Sequence, residues 1–199
     1  MDSLTDEDVE LLMGWCYMEK ALEYMERRGA FQNTSGHDKA FELEKAYYNE
    51  LSRRITYCQA LLKNHDDAII YFTLAQLERR NNIGISTKRI LRKEVRWYAI
   101  QALRRDRKFH KAWALLSESY ADVALVANEA FRREDAPQAA CYRRSIQFIE
   151  RAILCLKKAL DLDPDNEDYD IRLKRYYAYR NEEFGPEGSD RYSWESECG

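Results

Sequence analysis

Apolar residues recur at three- and four-residue steps through most of this chain, the spacing that places them on one face of an α-helix. Leu11, Leu12, Trp15, Met18, Leu22 and Met25 form the first such stripe. It predicts a helix from about Thr5 to Arg28, capped by Thr5 or Asp6 and ended by Gly29. Glu7 and Asp8 fall in its first turn, where the helix dipole favours negative charge. Residues 32–37 (QNTSGH) read as a loop, and Asp38 caps a second helix reaching about Leu62. After a tight turn at Lys63 to His65, Asp66 begins a third helix, to about Asn81. Residues 82–85 break the pattern, and Ser86 or Thr87 caps a fourth helix ending near Arg105. A fifth follows the turn at Asp106 and runs to Arg133. Pro137 restarts a sixth, which stops at Asp163 and Pro164. The seventh covers about Glu167 to Phe184. Long helices joined by short turns imply antiparallel neighbours. The expected fold is therefore all-α, with about seven helices in antiparallel hairpins and a single domain over 1–184. Residues 185–199 are polar and poor in aliphatics, and are expected to be disordered.

Composition supports this reading. In 199 residues there are only 7 Gly and 3 Pro, too few to punctuate the many strands of a sandwich or barrel. A hydrophobic fraction of 45% beside 34% charged residues allows a buried core under an ionic surface.

Helical hairpins invite a search for internal repeats. In ERAILCLKKALDLDPDN, Ala152, Leu156, Ala159 and Pro164 lie four, three and five residues apart. This resembles the second helix and closing turn of a tetratricopeptide repeat, where small residues let two helices approach and proline stops the second. Leu173 and Tyr177 fall where the next repeat's first helix carries Leu and Tyr. The aromatic expected three residues before Leu173 is Asp170, with Tyr169 adjacent, so this helix resembles a terminal cap. Ala68, Phe72 and Ala75 repeat the spacing without the proline, Arg80 standing in its place. The segment after Phe109 matches in two phases at once. Ala112 and Leu116 fit a second helix, with Ser119 for the next Ala, while Trp113, Leu116, Ser117 and Tyr120 fit a first helix. The resemblance spans about residues 40–184 and is specific at 152–177. It implies hairpins stacked as a superhelix, whose inner face binds another protein.

Charge is distributed unevenly although the formal total is only −3. Residues 88–111 hold ten bases against two acids, while 1–28 and 161–199 carry net charges of −5 and −7. Arg89, Arg92, Lys93 and Arg96 recur at helical spacing as a basic stripe, with Trp97 beside it. Such a stripe suits an acidic peptide, a phosphate or a nucleic acid. The carboxylate clamp of chaperone-binding repeat proteins is not recognisable, because its places carry Arg53 and Tyr57.

No catalytic set assembles. His37, His65 and His110 fall in a loop and two turns and read as solvated side chains. Phosphate-cradling glycine motifs and H-E-x-x-H are missing, and Cys16, Cys58, Cys141, Cys155 and Cys198 have no C-x-x-C spacing. No cofactor or metal is expected. An acidic start and no apolar run of about 18 residues argue against a secretory signal or a membrane span. The expected protein is cytoplasmic and non-enzymatic: an adaptor, chaperone or regulator that binds a peptide or helix of a partner, possessing Arg89, Arg92, Lys93, Arg96, Trp97 and Tyr57 as contact residues. The alternative is a nucleic-acid-binding regulator using residues 88–111.

Overall fold

The computed structural model describes residues 4–16, 37–81, 93–132 and 138–184. These form seven α-helices and, among the described residues, no strand: α1 Asp6–Cys16, α2 His37–Leu61, α3 Ala68–Asn81, α4 Lys93–Arg105, α5 His110–Arg132, α6 Gln138–Leu162 and α7 Glu167–Phe184. The all-α architecture agrees with the sequence pattern. The extension of the first helix to Arg28, the loop near residue 34, the Ser86 or Thr87 cap, the Pro137 restart and the 185–199 tail lie outside the described residues.

Local chemistry explains where the helices start. Thr5 caps α1 by accepting the Asp8 N–H on its hydroxyl at 3.1 Å, while the Asp8 carboxylate reaches back to the Thr5 N–H at 3.3 Å. Asn166 caps α7 by accepting the Tyr169 N–H at 3.3 Å. The start of α3 differs from the sequence reading. Asp67, not Asp66, accepts the Ile69 N–H at 2.9 Å, because Asp66 is engaged by side chains of α3 and α4.

Each helix packs on the next in the chain, from α2 through α7, and α1 lies against α3. The buried residues form three clusters in the same order. Leu12 of α1, Leu51, Ile55 and Cys58 of α2, and Ile70, Leu74 and Leu77 of α3 make the first. Phe72 and Ala75 of α3 meet Ala99, Ala102 and Leu103 of α4 and Ala112, Leu115 and Leu116 of α5 in the second. Ala114, Ala121 and Ala124 of α5, Ile149, Ala152, Leu156 and Ala159 of α6, and Tyr169 and Leu173 of α7 make the third. Helices α3 and α5 each bury two faces and so join neighbouring clusters. At about 1.5–3 kcal/mol for each fully buried large aliphatic side chain, these faces supply the main favourable term.

The closest pairing is α5 with α6. Ser117 donates its hydroxyl to the Ala152 carbonyl at 2.7 Å, and Ser145 donates to the Ala124 carbonyl at 2.8 Å. Moving seven residues forward along α5 thus moves the contact seven residues back along α6, which fixes an antiparallel register. Positions 114, 117, 121 and 124 face 145, 149, 152, 156 and 159, alternating steps of three and four in the pattern of a coiled-coil seam. Ala152, Leu156 and Ala159 are fully buried in it.

Candidate functional site

Helix α4 places its residues by simple geometry: successive side chains are about 100° apart around the axis. Val95, Ala99, Ala102 and Leu103 are buried towards α3 and α5. Lys93, Trp97 and Arg104 are exposed on the outer face. Trp97 keeps 52% of its surface in solvent, an unusual allowance for the largest apolar side chain. Its ring is held edge-on, with centroids 6.2 Å from Tyr71 of α3 and 5.0 Å from Tyr98 of α4.

The support beneath Trp97 is a hydrogen-bonded set at the α3–α4 contact. Tyr71 donates its hydroxyl to Asp66 at 3.1 Å, and Arg105 donates to the same carboxylate oxygen at 2.8 Å and to the Tyr71 oxygen at 3.1 Å. The Arg105 guanidinium also lies 4.2 Å from the Tyr71 ring centre. The Arg105 hydrogen bond, followed by that of Tyr71, holds the Asp66 carboxyl below its usual range. Burial pushes the Tyr71 hydroxyl up. An exposed indole on a rigid base loses little conformational freedom when a ligand covers it.

Of the six residues singled out by the sequence, the four that are described do not form one patch. Lys93 and Trp97 share the outer face of α4. Arg96, one residue from Trp97, turns to the α5 side, half-buried, with a guanidinium nitrogen 3.5 Å from the Ser119 hydroxyl. Tyr57 belongs to α2, where its hydroxyl donates to Asp8 of α1 at 3.2 Å. Arg89 and Arg92 lie outside the described residues. Among the described residues, Lys93, Arg104, Arg107 and Lys108 form no ion pair, whereas Arg105 of the same segment pairs with Asp66.

Two groups went unnoticed in the sequence. Glu118 of α5, partly buried, pairs with Arg79 of α3 and with Arg172 of α7, tying three helices together. Asp122, one turn on, lies 3.7 Å from Arg79, and burial pushes its carboxyl up against the pull of Arg79 and Arg96. Burial likewise lowers Arg172. An acid and a base this far apart in sequence carry no local signal. His110 corrects the reading of solvated histidines: it begins α5, its Nδ1 lies 3.0 Å from the Tyr169 hydroxyl and 3.3 Å from Asp163, and its ring packs edge-on against Tyr169.

Among the described residues, no cluster of three or more His, Cys, Asp or Glu side chains is arranged to hold a metal, and no helix is long and apolar enough to cross a membrane. No family model, no curated protein and no solved structure matches the chain.

Proposed function

We propose that the chain is a non-enzymatic interaction module of tetratricopeptide-like hairpins, stacked as a superhelix, which acts as an adaptor, chaperone or regulator by binding an acidic peptide or helix of a partner protein. The observation that carries this reading is the outer face of α4. There a half-exposed Trp97, braced by Tyr71 and Tyr98, stands between Lys93 and Arg104, neither of which has an ion pair among the described residues. An aromatic anchor flanked by cations matches a short acidic segment with one apolar side chain. A cytoplasmic setting belongs to the same reading, in keeping with an odd number of cysteines that have no C-x-x-C spacing.

An array of acidic peptides probed with the folded protein tests the reading. Lys93→Glu combined with Trp97→Ala is expected to weaken the best binders at least ten-fold while leaving the helical circular dichroism unchanged. Undiminished binding by the folded variant overturns it. Nucleic acid is the second reading, supported by Lys93, Arg104, Arg107 and Lys108, four cations that form no ion pair among the described residues. It requires affinity for generic RNA that falls steeply with salt, whereas a peptide anchored on Trp97 shows a shallow dependence.

A further inference from the structure

One long edge of α5 is left between its two neighbours. Helices α4 and α6 pack on α5 far more than on each other, and Tyr120 lies half-buried on the edge between them. Its ring is 5.8 Å from Phe148 of α6. Phe148 in turn is flanked along its own helix by Arg144 and Arg151, whose guanidinium carbons lie 5.7 and 5.4 Å from the ring centre. Arg96 approaches from α4 and hydrogen-bonds to Ser119 beside Tyr120. Two helices thus bring three guanidinium groups to one pair of aromatic rings.

Among the described residues the charges there are balanced only in part. Glu94 and Asp122 offset Arg96 in part, but burial and the like charge of Arg144 still lower its pKa. Arg144 and Arg151 are exposed, and neither forms an ion pair among the described residues. Arg144 and Arg151, beside an apolar ring and with no carboxylate partner among the described residues, are complementary to an anion with a carbon body. A carboxylate supplies one negative charge, whereas a phosphate monoester supplies about 1.5–2 and three strong acceptor oxygens that guanidinium forks engage in pairs.

We propose that the α4–α6 seam binds a phosphorylated side chain of a partner peptide, the phosphate held by Arg144 and Arg151 with Arg96 behind it and the carbon part of the side chain lying on Phe148 and Tyr120. The seam is separate from the Trp97 face, because Arg96 and Trp97 point to different sides of α4, and it stands whether or not that face binds.

Calorimetric titration of the full chain with short neutral peptides carrying one phosphotyrosine, one phosphoserine or one glutamate tests the assignment. Either phosphopeptide is expected to bind at least ten-fold more tightly than the glutamate peptide, and the tighter of the two identifies the side chain. Arg144→Gln with Arg151→Gln is expected to remove that preference at unchanged melting temperature, and Lys93→Glu with Trp97→Ala to leave it intact. Should the glutamine pair fail to fold, Arg144→Lys with Arg151→Lys keeps the charge, loses the paired geometry and is expected to weaken phosphopeptide binding several-fold. Equal affinity for the glutamate peptide, an unaltered preference in the folded double variant, or tighter binding of a single-stranded RNA 20-mer than of either phosphopeptide overturns the proposal.

Discussion

The α5–α6 and α3–α4 pairs join helices that follow one another in the chain, and they differ in what separates them. Between α5 and α6 the seam is made mainly of Ala and Ser, and the backbones lie close enough for a serine hydroxyl to reach the facing carbonyl at both levels. Between α3 and α4, Ala75, Ala99 and Ala102 are buried, but rings stand alongside: Tyr71 against Tyr98 and Trp97, and Phe72 against Phe109 of the following turn. Small residues close a seam and leave no side chain between the two backbones for a partner to touch. Large rings make the second contact as apolar as the first, yet they do not fit wholly inside it, and Trp97 is the part left over. The buried faces of the two pairs thus differ in kind: small residues let α5 and α6 approach closely, and rings hold a half-exposed Trp97 at the α3–α4 contact.

The sharpest way to break this contrast is to enlarge the small side of it. Ala152→Leu adds three heavy atoms to a seam with no room, and is expected to cost about 1–3 kcal/mol in urea or thermal unfolding. Ala159→Leu, also fully buried, should behave alike. No loss in either variant means that α5 and α6 are not in close contact, and the repeat-like reading of Ala152, Leu156 and Ala159 goes with it.

Next in size is Glu118→Gln. This carboxylate serves Arg79 and Arg172 at once, and its side chain retains only 21% exposure, against 35% and 19% for the arginines. Exposed pairs contribute little, and fully buried ones cost several kcal/mol when one partner is removed. Two half-buried pairs lost together should cost about 1–2 kcal/mol, reduced at high salt. A loss confined to the α5–α6 seam, with α3 and α7 amide protection unchanged in hydrogen exchange, contradicts the bridging role.

The helical architecture was legible because its determinants are local. Asn166, the acids after it and the apolar steps mark α7 without reference to any other helix. The two competing phases around Trp113 and Tyr120 fall on a helix that is buried on two sides, with Ala112, Leu115 and Leu116 in one cluster and Ala114, Ala121 and Ala124 in the other. The site was less legible. Counting bases from Lys88 to Lys111 finds the outer face of α4, but it joins Arg96 to Lys93 although a single residue step from Trp97 turns Arg96 to another side. Arg144 and Arg151, seven residues apart with Phe148 between them, do carry a helical signal in sequence. What the sequence lacks is Arg96 and Tyr120 as their neighbours, which only the packing of α4 and α6 about α5 provides.

The serine hydroxyls allow a finer test of the closed seam. Ser117→Ala and Ser145→Ala each remove one buried donor, and the facing carbonyls keep their helical hydrogen bonds, so each should cost about 0.5–1.5 kcal/mol. The two sites are two helical turns apart and share no partner, so the double variant should be additive within about 0.5 kcal/mol. Strong non-additivity shows that the helices shift along each other when one bond is lost.

The smallest expected effect on stability belongs to Trp97→Ala, and that is its value. The ring touches Tyr71 and Tyr98 edge-on and leaves half its surface in water, so truncation removes two aromatic contacts without opening a cavity in the core. Tyr71 keeps its bonds to Asp66 and Arg105, so the base of the site stays in place. The loss should be below about 1 kcal/mol, less than for the alanine enlargement of the α5–α6 seam. Denaturant unfolding of both variants under one set of conditions decides the matter. If Trp97→Ala proves as costly as Ala152→Leu, the indole is a structural member of the α3–α4 contact and is not spare for a partner. If its cost is small while acidic-peptide affinity falls ten-fold, the open hairpin is the recognising one.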